Sequence, residues 1–175
     1  MKRFVRILAL PALFALAAAA PSAAAAPIAV HKPAPAFTYR LLNGKTLSPA
    51  QLRGHKYILW VMATWCPSCR AGSQIAAQHI QDLVRNHVIL VEMEVYDNLG
   101  GSGPPLASVK SGIGKAADAP VWYWGILNER QTAAIDPKSA PDAFYLVDEH
   151  GNVVGHGMAP GAHWGRIESF IRSYV

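Results

Sequence analysis

Two rhythms of apolar and polar positions run along the chain. Tyr57 to Ala63 (YILWVMA) is nearly unbroken apolar and rich in β-branched and aromatic residues. That is the pattern of a strand covered on both faces. Val88 to Val95 (VILVEMEV) is a second such run, alternating in its latter half at Glu92 and Glu94. Between them, from Cys66 to about Arg85, Ile75/Ala76, Ile80 and Leu83/Val84 return at helical spacing and predict a helix with one buried face. Upstream, Phe37 to Leu41 alternates and runs into Asn43-Gly44, a strong hairpin-turn signal, with Lys45 to Leu47 as the return strand.

The second half is more broken. Residues 98–105 (NLGGSGPP) read as a loop, and residues 106–117 as a short helix weakened by Gly112 and Gly114. Val121 to Trp124 predicts a short strand, and Glu129 to Ile135 a helix capped by Asn128. Ala143 to Val147 and Asn152 to His156 read as paired strands joined by a turn at 148–151. His163 to Tyr174 closes with an amphipathic helix carrying Trp164, Ile167, Phe170 and Ile171. The order ββ, βαβ, α, ββα predicts an α/β sandwich on a mixed sheet.

Composition changes this picture at two points. The chain is 51% hydrophobic and only 15% charged over 175 residues, which excludes bulk disorder and suits one domain with a sizeable core. The formal charge of +5 suggests nucleic acid until its distribution is followed. Lys2, Arg3 and Arg6 precede an apolar run, Ile7 to Ala20, and then Ala23-Ala24-Ala25. This is a secretory signal pattern, so residues 1–25 are expected to be a signal peptide and the domain to be periplasmic or otherwise extracytoplasmic. Cleavage after Ala25 removes three positive charges and leaves about +2, with no Lys/Arg run elsewhere, so the case for nucleic acid falls away. An uncleaved membrane anchor is the alternative, although the run is short for a span. Residues 26–35 are Ala/Pro-rich and read as a flexible lead-in to a domain spanning 36–175.

The candidate chemistry lies in Trp65-Cys66-Pro67-Ser68-Cys69-Arg70, where the first apolar strand gives way to the helix. Cysteines at i and i+3 on a first helical turn come close enough to form a disulfide. Free N–H groups and the macrodipole there stabilise a thiolate, so Cys66 is the candidate nucleophile. Cys69, one turn inside, suits resolution of a mixed disulfide. Pro67 fits an early helical position, where its missing N–H costs nothing. The other readings are a structural bridge, which would close only a short loop and so remove little unfolded-state entropy, and half of a metal site. A copper-binding module would need a histidine such as His79, His156 or His163 beside the sulfurs. Pro141 precedes the strand at 143–147 and on local sequence alone marks only a loop.

These residues resemble the thioredoxin superfamily, in its exported TlpA/ResA/CcmG-like branch, from about Ala36 to Val175. The segment Ala63-Thr64-Trp65-Cys66-Pro67-Ser68-Cys69-Arg70-Ala71 is very similar to the branch's active-site segment. Phe37 to Leu52 with Arg53-Gly54 resembles its N-terminal hairpin. Ala140-Pro141 with 144–148 resembles its cis-proline loop and following strand, and Gly151 to Gly157 its closing hairpin. The resemblance implies a thioredoxin-like three-layer α/β/α sandwich with a mixed central sheet and an N-terminal β-hairpin. It implies a cis Pro141 beside the cysteine pair, and substrate contacts from Trp65, Pro67, Ser68, Ala140 and Pro141. It further implies an exported thiol–disulfide oxidoreductase that reduces specific partners, such as apocytochrome c or its maturation factors. Electrons would come from a membrane thiol reductase, with no bound cofactor and no metal. A dithiol oxidase is the nearest rival, since redox direction depends on a potential that the Pro67-Ser68 dipeptide tunes.

The departures are informative. Thioredoxins carry Asp six residues before the first cysteine, where this chain has Trp60. The branch usually has Glu three residues after the second cysteine, where this chain has Gly72. Either carboxylate would accept the inner thiol's proton. Glu92 and Glu94, on the neighbouring strand, are the substitutes on offer, against the plainer reading that both face solvent. Residues 98–137 match the family poorly, and Trp122, Tyr123 and Trp124 read as partner groove or as core.

Overall fold

The computed structural model describes residues 28–173. The expected signal peptide lies outside the described residues. Seven strands form one mixed sheet in the order β2-β1-β5-β4-β3-β6-β7. β3 (Tyr57–Met62) and β4 (Ile89–Glu94) pair in parallel at its centre, and β5 (Trp122–Ile126) extends the parallel set on the far side of β4. β6 (Ala143–Val147) runs antiparallel to β3 and pairs with the outer strand β7 (Val153–Met158). The hairpin of β1 (Tyr39–Leu41) and β2 (Thr46–Leu47) joins the opposite edge through β1 and β5. All side chains of β3 and β6 are buried, so both faces of the sheet are covered there, as their unbroken apolar runs demand.

The connections carry the remaining helices. α1 (Pro49–Leu52) follows the hairpin. α2 (Pro67–Gln78) and α3 (Ile80–Arg85) make the crossover from β3 to β4. The single helix expected over 66–85 is therefore two. His79 leaves helical geometry at φ −103°, ψ 9°, and its imidazole stacks on Trp164 of α6 (Trp164–Arg172), 5.1 Å between ring centres. α4 (Leu106–Ile113) stops short of the expected 117 because Gly114 turns left-handed (φ 81°), and a 3₁₀ turn over Lys115–Asp118 follows. α5 (Glu129–Ile135) starts on a full capping box between Asn128 and Gln131. Residues 31–34 hydrogen-bond to residues 151–153, so the described end of the lead-in lies against the β6–β7 turn.

A thiol centre with carboxylates beneath it

The cysteine turn is built by the end of β3. Ala63 O accepts the Cys66 N–H at 3.0 Å, which closes the turn and makes Cys66 the N-cap of α2, with Pro67 at its first position. Cys66 and Cys69 are joined in a disulfide, with Cα atoms 5.3 Å apart. The Cys69 N–H donates to Cys66 Sγ at 3.2 Å, and Ser68 Oγ lies 3.2 Å from the same sulfur. Free helix N–H groups thus point at the outer sulfur, which favours its thiolate after reduction. Cys66 is 6% exposed and Cys69 is fully enclosed, so Cys66 is the more accessible of the two. Trp65 (38% exposed), Pro67 and Ser68 surround it on the open side.

The loop before β6 returns to this centre, but not through a cis proline. Every peptide bond among the described residues is trans, including the one before Pro141. The chain is redirected instead by two residues in the left-handed region, Ser139 (φ 49°) and Asp142 (φ 88°). Asp136 Oδ1 accepts the Ala140 N–H at 2.9 Å, and Asp142 N–H donates to Val61 O on β3 at 2.8 Å. Ala140 and Pro141 are half-buried, and the Ala140 N–H is already taken within the loop.

Asp142, which sequence reasoning passed over, is the residue this loop delivers. A carboxylate oxygen of Asp142 and both sulfurs lie within 4.8 Å of one another. Its Oδ1 accepts the Trp60 indole N–H at 3.1 Å, while Oδ2 is buried with no hydrogen-bond partner. Burial raises its pKa, opposed by the nearby Ser68 hydroxyl and the Trp60 hydrogen bond. Trp60 also explains why no carboxylate stands at 72. A Cβ on Gly72 would come within 2.8 Å of the Trp60 ring. The indole fills the space that a longer side chain on α2 would need, and turns its N–H to an acid supplied from the other side.

Glu92 and Glu94 separate cleanly. Glu92 is wholly buried, contrary to a solvent-facing reading: Ser73 Oγ lies 2.6 Å from Oε1, and the Trp122 indole donates to Oε2 at 3.0 Å. Burial pushes its pKa up to about 8, despite these two hydrogen bonds, with the nearby Asp142 charge adding to the rise. A protonated Glu92 can donate to Ser73, which in turn donates to Cys69 O at 3.1 Å. The acid is therefore wired to the backbone of the inner cysteine. Glu94 sits half-buried at the end of β4, with no hydrogen bond to the cysteine turn; burial raises its pKa as well. Trp122 and Trp124 stack on each other 4.9 Å apart and are core, not groove.

No histidine joins the sulfurs among the described residues; the third ligand-type group there is Asp142. His79 clusters with Asp82 and Glu168, His156 lies beside Tyr145, and His163 precedes α6. The signal that could have found Asp142 is its place directly after the loop proline. Asn98, a second residue sequence reasoning missed, hydrogen-bonds the turn ahead of Cys66.

Fold and site together define a thioredoxin-like domain with a Cys-x-x-Cys disulfide on the first turn of the helix that follows its central strand. Solved structures carry the same fold. The thiol:disulfide interchange protein, thioredoxin family protein, from Chlorobium tepidum TLS matches over 84% of this chain and 97% of its own, with 24% identity and a TM-score of 0.62. The thioredoxin-like protein from Aeropyrum pernix matches over 79% of this chain and 89% of its own, with 19% identity and a TM-score of 0.61. Among curated proteins, the thiol:disulfide interchange protein DsbE of Yersinia pestis is 45% identical over 65 residues, 33% of this chain and 35% of that protein. The chain thus spans about a third of the length of the curated relative it matches. No family model matches the chain.

Proposed function

We propose that this chain is an exported thiol–disulfide oxidoreductase that reduces disulfides in specific partner proteins. The observation that carries the reading is the Cys66–Cys69 disulfide, outer sulfur at a helix N-terminus and inner sulfur enclosed beside the Asp142 carboxylate, whose Oδ2 has no hydrogen-bond partner. In the reduced protein, the Cys66 thiolate attacks one sulfur of the partner's disulfide. A mixed disulfide forms and the partner's first thiolate leaves and takes up a proton. Cys69 then gives its proton to Asp142, and the new thiolate attacks Cys66 Sγ. The mixed disulfide breaks, the second partner thiolate leaves, and the Cys66–Cys69 bond re-forms. Two electrons pass from the pair to the partner, and no bound cofactor is needed. Glu92 supports the inner cysteine through Ser73, and Glu94 has no part in the step. Trp65, Pro67 and Ser68, with the half-buried Ala140 and Pro141, form the face that meets the partner.

Residues 1–25 act in this reading as a cleaved signal, and the domain works outside the cytoplasm. A membrane thiol reductase restores the dithiol. The likeness to the Yersinia pestis thiol:disulfide interchange protein supports thiol:disulfide interchange as the chemistry, and the resemblance to the TlpA/ResA/CcmG-like branch supports a place in cytochrome c maturation. The deciding experiment is the reduction potential of the Cys66–Cys69 couple, equilibrated against glutathione. A value at the reducing end of the thioredoxin range supports a reductant; one at the oxidising end makes the protein a dithiol oxidase.

A further inference from the structure

We infer that Asn98 is a positioning residue that clamps the turn ahead of Cys66 and thereby sets the reactivity of the nucleophile; the inference rests on the redox reading of Cys66. Asn98 lies after β4, outside the segments that resemble the family. Its Oδ1 accepts the Thr64 N–H at 2.8 Å, and its Nδ2 donates to Thr64 Oγ1 at 2.8 Å and to Gly101 O at 3.2 Å. Its main-chain carbonyl accepts the Trp65 indole N–H at 2.6 Å. One residue therefore holds the backbone and side chain of Thr64 and the ring of Trp65, the two residues that lead into the cysteine N-cap.

The surrounding backbone is shaped for this task. Asp97, Asn98 and Leu99 stand consecutively in the left-handed region, at φ 48°, 51° and 54°. A run of three residues there without glycine is rare, since each non-glycine residue pays a steric penalty and only asparagine and aspartate bear it readily. The run turns the Asn98 amide back toward β3. Beyond it, a Cβ on Gly101 would overlap the Trp65 indole, and one on Gly103 would overlap Thr64 and the Trp65 backbone. The loop is thus seated on the turn rather than merely near it. Thr64 is fully buried beneath it.

The consequence follows from the cap geometry. Cys66 Sγ is stabilised as an anion only while its sulfur lines up with the Cys69 N–H, and that alignment depends on the direction in which Thr64 and Trp65 enter the helix. Releasing Thr64 loosens the entry and removes the alignment. The loss falls on the thiolate, not on the thiol.

Asn98→Gly tests this directly, because glycine keeps the left-handed backbone and the carbonyl that holds Trp65 while deleting the amide. Rates of iodoacetamide alkylation of Cys66 in the reduced protein are read across pH. The expected result is a profile whose midpoint moves up by about one pH unit, with reaction about threefold slower below the Cys66 pKa and an alkaline plateau no lower than wild type, because the tenfold smaller thiolate fraction outweighs the gain in nucleophilicity. Thr64→Val removes the Oγ1 partner while keeping volume, and should shift the same profile in the same direction. The double variant should lose no more than Asn98→Gly alone, since both cut one clamp. An unmoved pH profile in a folded Asn98→Gly protein overturns the inference, as does strict additivity of the two substitutions. Wild-type protein that alkylates normally but reduces no disulfide instead overturns the proposed function and leaves the clamp standing.

Discussion

At the scale of single residues, the proposed reaction gives the two cysteines different tasks because their surroundings differ: Cys66 caps the helix at the rim and Cys69 is enclosed. Cys66→Ser should abolish reduction of insulin disulfides, whereas Cys69→Ser should still attack and then stall as a trapped mixed disulfide visible by non-reducing electrophoresis. Retained turnover by Cys66→Ser would end the assignment of nucleophile. Asp142 gives a second prediction. Its Oδ2 is buried without a partner beside the sulfurs, and asparagine there keeps an oxygen for the Trp60 N–H while removing the proton acceptor. Asp142→Asn should slow resolution of the mixed disulfide by about 100-fold, the lower end of what a general base supplies. The initial attack by Cys66 should change far less, so a single-turnover measurement separates the two steps. Equal slowing of both would place Asp142 in substrate positioning instead.

At the scale of elements, the long apolar strands and capped helices were legible because one local signal sufficed for each. Residues 57–63 and 88–95 declared two covered strands, and Asn128 declared the start of α5 within its own capping box. The dithiol turn was legible for the same reason, since spacing and helix position are both local. What escaped the sequence was long-range. The trans bond before Pro141 agrees with the local reading of a loop proline and departs from the cis bond that the family resemblance implied; what no local pattern predicts is the left-handed Ser139 and Asp142 around it. The burial of Glu92 depends on Ser73 from α2 and Trp122 from β5 closing over it. The contacts of Asn98 with Thr64 depend on where β4 ends relative to β3. Gly72 shows the coupling most sharply, because its smallness makes sense only once Trp60 lies against α2. Gly72→Ala gains about 1 kcal/mol of helix propensity, but must displace a ring already wedged against Asp142. Overpacking of this kind typically costs about 1–3 kcal/mol, so a net loss of roughly 1 kcal/mol is expected in a denaturant titration. A stabilised Gly72→Ala would show that the indole yields freely and is not what excludes a side chain there.

At the scale of the whole molecule, the buried acids should make stability depend on pH in an uncommon direction. Most carboxylates in folded proteins are held below their ordinary pKa, so stability is lost as pH falls. Glu92 is the opposite case, raised from 4.5 to about 8 by burial. Below about 4.5 the group is protonated in folded and unfolded chains alike, and its contribution is fully present. Between about 4.5 and 8 the unfolded chain releases the proton while the folded one keeps it, so stability falls as pH rises. Above about 8 both states are ionised and the slope from this group ends. Asp142, also raised by burial, adds to the fall over its own range. Glutamine is the neutral mimic of protonated Glu92. Its amide can donate to Ser73 while its oxygen accepts from Trp122, the pattern the acid makes when it carries its proton. Thermal unfolding of the oxidised protein should therefore show a midpoint that declines from pH 5 to pH 8. In Glu92→Gln the decline should shrink, by an amount equivalent to an unfolding free energy on the order of a few kcal/mol. If the variant keeps the full decline, Glu92 is ionised in the fold at neutral pH. Its link to Cys69 through Ser73 then carries a charge rather than a proton.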